Sequence, residues 1–184
     1  MMASWPFDQV VCFGDSITEG YMVDEESSYP ARLSKILNLK CINLGVSGDT
    51  SSDGLRRLGQ LDEAIGAGQR SVVLIEFGIN DFFMLYPRSE TKANLERLIN
   101  HIREKGQGPI LIGFSMDYPG VPQWVSLYEE LSEAQEVPLY PNVFHGLSKR
   151  EGDFLSDGLH PSPSGYQKIA QGIGGFLRDI FDNK

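Results

Sequence analysis

Five residues of this chain, Ser16, Gly48, Asn80, Asp157 and His160, have the side chains or backbone needed to break an acyl bond, and each stands at a polar break in an apolar pattern. Ser16 ends the run Val10-Val11-Cys12-Phe13-Gly14-Asp15-Ser16, where apolar residues meet a tight turn. A serine held there can attack a carbonyl carbon. Its own N–H, if the serine opens a helix, points toward an anion in front of it. The same stretch also reads as a plain strand and turn, with Ser16 as a helix cap. The later breaks separate these readings. His160 can take the serine proton. Asp157 precedes it by one turn of backbone, so its carboxylate can reach the imidazole Nδ1, fix the tautomer and stabilise the imidazolium. Gly48 offers a backbone N–H with no side chain in the way. Asn80 offers a side-chain N–H. With the Ser16 N–H these form a three-donor oxyanion hole, in which one donor is worth about 100- to 1000-fold in turnover. Taken singly, Gly48 and Asn80 are turn residues.

The elements that must position these groups alternate strand and helix. Strands are predicted at Val10 to Phe13, Lys40 to Leu44, Ser71 to Phe77, Pro109 to Phe114 and Val137 to Tyr140. The continuous apolar run before Gly78 suits a central parallel strand. Helices are predicted at Tyr29 to Leu37, Ser51 to Ile65, Ser89 to Lys105 and Val121 to Glu136, with a last one from Pro161 or Pro163 to Ile180. The segment from Pro141 to Asp157 reads as irregular. Five strands alternating with helices imply one α/β domain, residues 1–184, with a parallel sheet covered on both faces. The carboxyl ends of parallel strands share one edge, so the breaks at Ser16, Gly48 and Asn80 converge by topology. Asp157 and His160 reach that edge if the irregular segment folds back over it.

Two apolar loops leave the same edge. Phe82-Phe83-Met84-Leu85-Tyr86 follows Asn80, and Met116-Asp117-Tyr118 follows the fourth strand. Such runs commonly just cover a sheet, but beside a nucleophile they make an acyl-chain groove. Asp15 and Asp81 read as braces of their turns. Glu76, a carboxylate in an apolar strand, needs partners or a raised pKa and reads as structural. His101 reads as lying on a solvated helix face, and His145 lies in the irregular segment without a matching acid.

Composition narrows the classes. A net charge of −9 over 184 residues argues against nucleic acid and against an anionic membrane surface. No apolar run is long enough to span a bilayer. The first residues, Met1 to Pro6, lack the pattern of a secretory signal, which leads to a cytoplasmic expectation. Cys12 and Cys41 make no disulfide framework and read as small hydrophobes in strands. Three dispersed histidines and no Cys-x-x-Cys give no metal site, and nothing calls for a cofactor. Gly14 to Gly20 lacks the ending of a phosphate loop, and it is not the Gly-x-Ser-x-Gly elbow.

The four breaks resemble, in order, the four blocks of the SGNH hydrolases, also called the GDSL esterase/lipase family. Gly14-Asp15-Ser16-Ile17-Thr18 resembles the nucleophile block and Ser47-Gly48-Asp49-Thr50 the oxyanion-glycine block. Gly78-Ile79-Asn80-Asp81 resembles the block with the oxyanion asparagine. Asp157-Gly158-Leu159-His160-Pro161 resembles the block with the acid and base. Val46 to Thr50, Gly54-Leu55-Arg56-Arg57-Leu58 and Leu74 to Gly78 are similar to the thioesterase I, lysophospholipase and arylesterase branch. The resemblance implies a three-layer flavodoxin-like α/β/α sandwich and a serine ester hydrolase working through an acyl-enzyme, without metal or cofactor. A carbohydrate O-deacetylase on the same machinery is the alternative, and a non-catalytic binding module is opposed by the intact set. That branch commonly has glycine where this chain has Ile79, so Ile79 is expected to add bulk beside the oxyanion hole. Ile79, Phe82, Phe83, Met116 and Tyr118 are the candidate substrate contacts, with short to medium acyl chains preferred.

Overall fold

The computed structural model of the chain describes residues 6–181, so the reading of Met1 to Trp5 lies outside the described residues. The chain builds a five-stranded sheet in the order β2-β1-β3-β4-β5, from β1 (Gln9–Gly14), β2 (Lys40–Gly45), β3 (Ser71–Glu76), β4 (Gly108–Ile112) and β5 (Leu139–Tyr140). Every pairing is parallel. Val10 to Phe13 and Val73 to Ile75 are fully buried on both sides of the sheet, which demands helices on both faces.

Helices α1 (Ser16–Glu19), α2 (Tyr29–Leu37), α3 (Ser51–Arg56), α4 (Leu58–Ile65), α5 (Ile79–Phe83), α6 (Arg88–Glu104), α7 (Val121–Gln135) and α8 (Pro163–Phe181) supply that cover. α2 packs against α8, while α6 packs against α3 and α7. α2 starts where Ser28 accepts the Ala31 N–H and Pro30 occupies the first turn. Its buried face is Tyr29, Leu33 and Leu37, and α8 meets it with Tyr166, Ile169, Ile173 and Leu177 buried. α6 and α7 bury Leu95, Leu98, Ile99 and Ile102, and Trp124, Leu127, Tyr128 and Leu131.

Strand order reverses at β1, since β2 lies to one side of it and β3 to the other. The crevice beyond the carboxyl ends of β1 and β3 is therefore the topological switch point, where open α/β sheets bind ligands. In register, Gly14 lies opposite both Gly45 and Glu76.

Several expectations need correction. The helix from Ser51 to Ile65 is broken at Arg57, whose side chain is drawn back to the sheet edge by three acceptors described below. β5 is only two residues long because Pro138 and Pro141 flank it and carry no N–H for a ladder. β4 ends at Ile112. His101 is half-buried and its Nε2 pairs with Asp62 Oδ1 at 2.7 Å, so it is not on a fully solvated face. Cys12 is buried in β1 and Cys41 half-buried in β2. Burial pushes the Cys12 thiol well up and that of Cys41 to about 12, which leaves both unreactive at neutral pH.

Candidate active site

Ser16 is the first residue of α1, directly after β1. The turn is set by Asp15, which caps α1 by accepting the Ile17 N–H at 2.9 Å. Gly14 is required there: a Cβ would lie 2.2 Å from Thr18 Oγ1 and 2.6 Å from the Glu76 carbonyl. Ser16 Oγ lies 3.0 Å from His160 Nε2, and His160 Nδ1 lies 2.7 Å from Asp157 Oδ2. Asp157 Oδ1 accepts the Leu159 and His160 N–H groups at 2.9 and 3.0 Å. Burial raises the Asp157 pKa, but these N–H donors and His160 outweigh it and hold the carboxyl below the usual range. An ionised Asp157 takes the Nδ1 proton as acceptor. Nε2 then faces the Ser16 hydroxyl as a bare lone pair, the tautomer a base requires.

Residues 154–161 form a stapled loop. Phe154 bridges to Pro161, and the Leu155 N–H donates to the His160 carbonyl at 2.8 Å. The loop is pinned to α8 through buried Asp153, which accepts from Ser148 N–H and Lys168 Nζ at 2.9 and 2.6 Å. The segment read as irregular thus folds back over the sheet edge.

The candidate donors come from the turns at Ser16, Gly48 and Asn80. Neither the Ser16 N–H nor the Gly48 N–H has a partner among the described residues. Gly48 has φ +85, a backbone conformation that favours glycine, and a Cβ there would meet nothing within 4 Å, so it borders open space. The Asn80 amide donates to the Asp49 carbonyl at 2.8 Å and to Asp15 Oδ2 at 3.2 Å, which ties it to the neighbours of Gly48 and of Ser16. Two further side chains hold the Gly48 turn. Glu19 accepts from the Ser47 N–H at 2.7 Å. Arg57 donates to Asp49 Oδ2 at 2.6 Å and to the Leu44 and Gly14 carbonyls, with its guanidinium over the Phe13 ring. Asp81 is buried and braces α5 against α3 and α6 by accepting from Ser51 N–H and Thr91 Oγ1, each at 2.9 Å.

Beside the loop lies a cavity of about 750 Å³. Phe83, Met116, Tyr118, Phe144, Leu147, Phe154 and Leu159 give it apolar walls, and Asn142, Lys149, Asp117 and Asp157 add polar groups. Of the candidate contacts, Phe83, Met116 and Tyr118 line it. Phe82 does not. Its ring backs the wall, packed edge-on against Phe83, Tyr118 and Trp124. Ile79 opens α5 with its side chain in the core, 3 % exposed, and does not line this cavity.

Sequence reasoning missed Tyr21, whose ring lies 4.4 Å from that of His160, and the wall residues Phe144, Leu147, Phe154 and Leu159. The signal for Phe144, Leu147 and Phe154 was the apolar content of the segment before Asp157. His145 is exposed and stands apart from the Ser16–His160–Asp157 contacts.

Comparison with known proteins identifies the family. The GDSL-like Lipase/Acylhydrolase family model matches residues 12–168. An arylesterase of Vibrio mimicus is 29% identical over 180 residues, covering 92% of this chain and 88% of that protein. The thioesterase 1/protease 1/lysophospholipase L1 of Escherichia coli K12 is 25% identical over 184 residues, covering 96% and 86%. In structure, the psychrotrophic esterase EstA from Pseudoalteromonas sp. superposes with a TM-score of 0.83 at 21% identity, over 94% of this chain and 98% of that one. The family match takes in the β1 edge, the Gly48 turn, the Asn80 turn and the Asp157–His160 loop together, and the chain belongs to the GDSL-like lipase/acylhydrolase family of serine ester hydrolases.

Proposed function

We propose that this chain hydrolyses carboxylic esters and thioesters of short to medium acyl chains through an acyl-enzyme on Ser16. The observation that carries the reading is the continuous contact Ser16 Oγ–His160–Asp157, at 3.0 and 2.7 Å, with the Ser16 and Gly48 N–H groups unpartnered among the described residues. His160 Nε2 takes the hydroxyl proton as Ser16 Oγ bonds to the acyl carbon. The carbonyl oxygen becomes an oxyanion, met by the Ser16 and Gly48 N–H groups. Asn80 joins them by turning the N–H held on the Asp49 carbonyl toward the oxygen, while its contact to Asp15 keeps the amide in place. The imidazolium, held by Asp157, returns its proton to the leaving alcohol or thiol as the carbonyl reforms. Water then repeats the sequence on the acyl-enzyme, with His160 again as base, and releases the acid.

The cavity supports the substrate class. Its walls are mostly Phe, Met, Leu and Tyr, which suit an acyl chain. A carbohydrate deacetylase calls for polar or tryptophan-rich walls instead. The relatives' names, arylesterase and thioesterase/lysophospholipase, support esters and thioesters alike. Among the described residues no helix is long and apolar enough to cross a membrane.

The test is covalent labelling. A p-nitrophenyl alkylphosphonate should release one equivalent of nitrophenol and leave the phosphonyl group on the Ser16 peptide. Ser16→Ala should take no label and lose ester hydrolysis. Label on another residue, or full activity in Ser16→Ala, refutes the reading.

A further inference from the structure

Directly beneath Ser16 lies a pair of buried acids that the mechanism above leaves idle. Asp15 and Glu76 are 0 % and 3 % exposed, and β1 and β3 bring them together through the Gly14–Glu76 register. Their carboxyl groups interact directly across the strand ends. Glu76 Oε2 accepts from Thr18 Oγ1 at 2.9 Å, and Thr18 Oγ1 in turn contacts Tyr29 Oη at 3.1 Å. Two carboxyl oxygens can hydrogen-bond only if a proton lies between them.

Donor and acceptor accounting says which acid carries it. Asp15 already accepts from the Ile17 N–H and from Asn80 Nδ2, the pattern of a carboxylate. We infer that Glu76 is the protonated partner, donating to Asp15, and that it acts as a positioning residue for the Asn80 amide through the chain Glu76–H···Asp15···H–N–Asn80. This rests on the reading of Asn80 as an oxyanion donor. The surroundings agree. Burial raises both groups, Asp15 to about 7 and Glu76 well above the carboxylate range, so the proton stays on Glu76 at neutral pH. The carboxylates of Asp49 and Asp81 and the phenols of Tyr29, Tyr128 and Tyr166 face the pair and favour keeping the proton. Arg57 is committed to Asp49 and two carbonyls. With both acids ionised, repulsion would part them and draw Asp15 away from Asn80.

Glutamine is the discriminating substitution, because its amide reproduces a neutral Glu76: its oxygen accepts and its N–H donates to Asp15. Glu76→Gln should keep kcat within about threefold of wild type, whereas Glu76→Ala should lower kcat by about 100-fold with KM little changed. Infrared spectra of wild type at neutral pH should show a protonated-carboxyl band that Glu76→Gln lacks. Failure to fold, or a kcat as low as in the alanine variant, would overturn the assignment for Glu76→Gln. So would absence of the band from wild type. Phosphonate labelling of Ser16 runs in parallel on each variant. Loss of labelling in wild type indicts the nucleophile assignment, while intact wild-type labelling with a dead glutamine variant indicts only the Glu76 proton.

Discussion

Replacing Asp157 by asparagine isolates the tautomer of His160 from everything else in the site. Asp157 Oδ1 accepts two backbone N–H groups, at 2.9 and 3.0 Å, while Oδ2 faces His160 Nδ1 at 2.7 Å. An asparagine must put its oxygen on the backbone donors. The flipped amide would set its NH₂ against two N–H groups and strand both, at about 1–3 kcal/mol each. Its NH₂ therefore faces Nδ1 and makes that nitrogen an acceptor. The imidazole proton moves to Nε2, where it points at Ser16 Oγ, and the base is blocked without any atom having moved far. Equivalent loss of tautomer control in a serine triad lowers kcat by about 10⁴, which corresponds to about 5 kcal/mol of transition-state stabilisation. The assay is hydrolysis of p-nitrophenyl acetate as a function of pH. Asp157→Asn should fall by about four decades at neutral pH, and its residual rate should climb with hydroxide. Thermal unfolding should change little, since the backbone bonds survive. A variant within tenfold of wild type would show that Asp157 does not set the tautomer.

Leu85→Gly should stabilise the protein. Leu85 follows α5 at φ +60, with its N–H on the Phe82 carbonyl and the Tyr86 N–H on the Asp81 carbonyl, the glycine position of a Schellman cap. It is 87% exposed, so relief of about 1–2 kcal/mol of left-handed strain outweighs the greater entropy of an unfolded glycine. A net gain of about 0.5–1 kcal/mol raises Tm by about 1–4 °C, and a lower urea midpoint would refute it. For acyl selectivity, each substrate methylene that reaches the Phe83–Met116–Tyr118 wall should raise kcat/KM by up to about fourfold. Met116→Ala should move the optimum to longer chains, and a series flat from acetate upward would remove the acyl-cavity reading. For pH, burial raises Glu76 well above its ordinary value and Asp15 from 3.8 to about 7, so the folded pair holds more protons than the unfolded chain across that interval. Stability should therefore fall as pH rises from about 4 to about 7. Urea midpoints that climb across that interval in wild type but not in an Asp15→Asn variant would reverse the sign.

Strand and helix order was legible because local patterns decide it. The helix from Tyr29 to Leu37 has its cap, its apolar stripe and its left-handed Asn38 all within ten or so residues. The strand ends were legible for the same reason, and parallel topology carries them to one edge. What failed depends on contacts far apart in sequence. The break at Arg57 is made by acceptors on β1, β2 and the Gly48 turn, which nothing near Arg57 announces. Ile79 read as a cleft residue because it adjoins Asn80, but consecutive helical residues point in different directions, and its own points inward. The wall from Phe144 to Leu159 follows no period, so apolar content without periodicity left it as loop. Glu76 was flagged by burial in an apolar strand. Its partner Asp15 could be found only from the strand register.

The staple between Phe154 and Pro161 gives the site one mechanical coordinate. Asp157 and His160 ride on the same short loop, joined to each other by two hydrogen bonds. Thermal motion of the loop can lengthen the single contact to Ser16, but it cannot separate Asp157 from His160 without unfolding the loop itself. Individual molecules should thus alternate between a competent state and a silent one, with few shades between. Such motion is fast beside turnover, so the silent fraction lowers the single-turnover rate in proportion to its population while the amplitude stays complete.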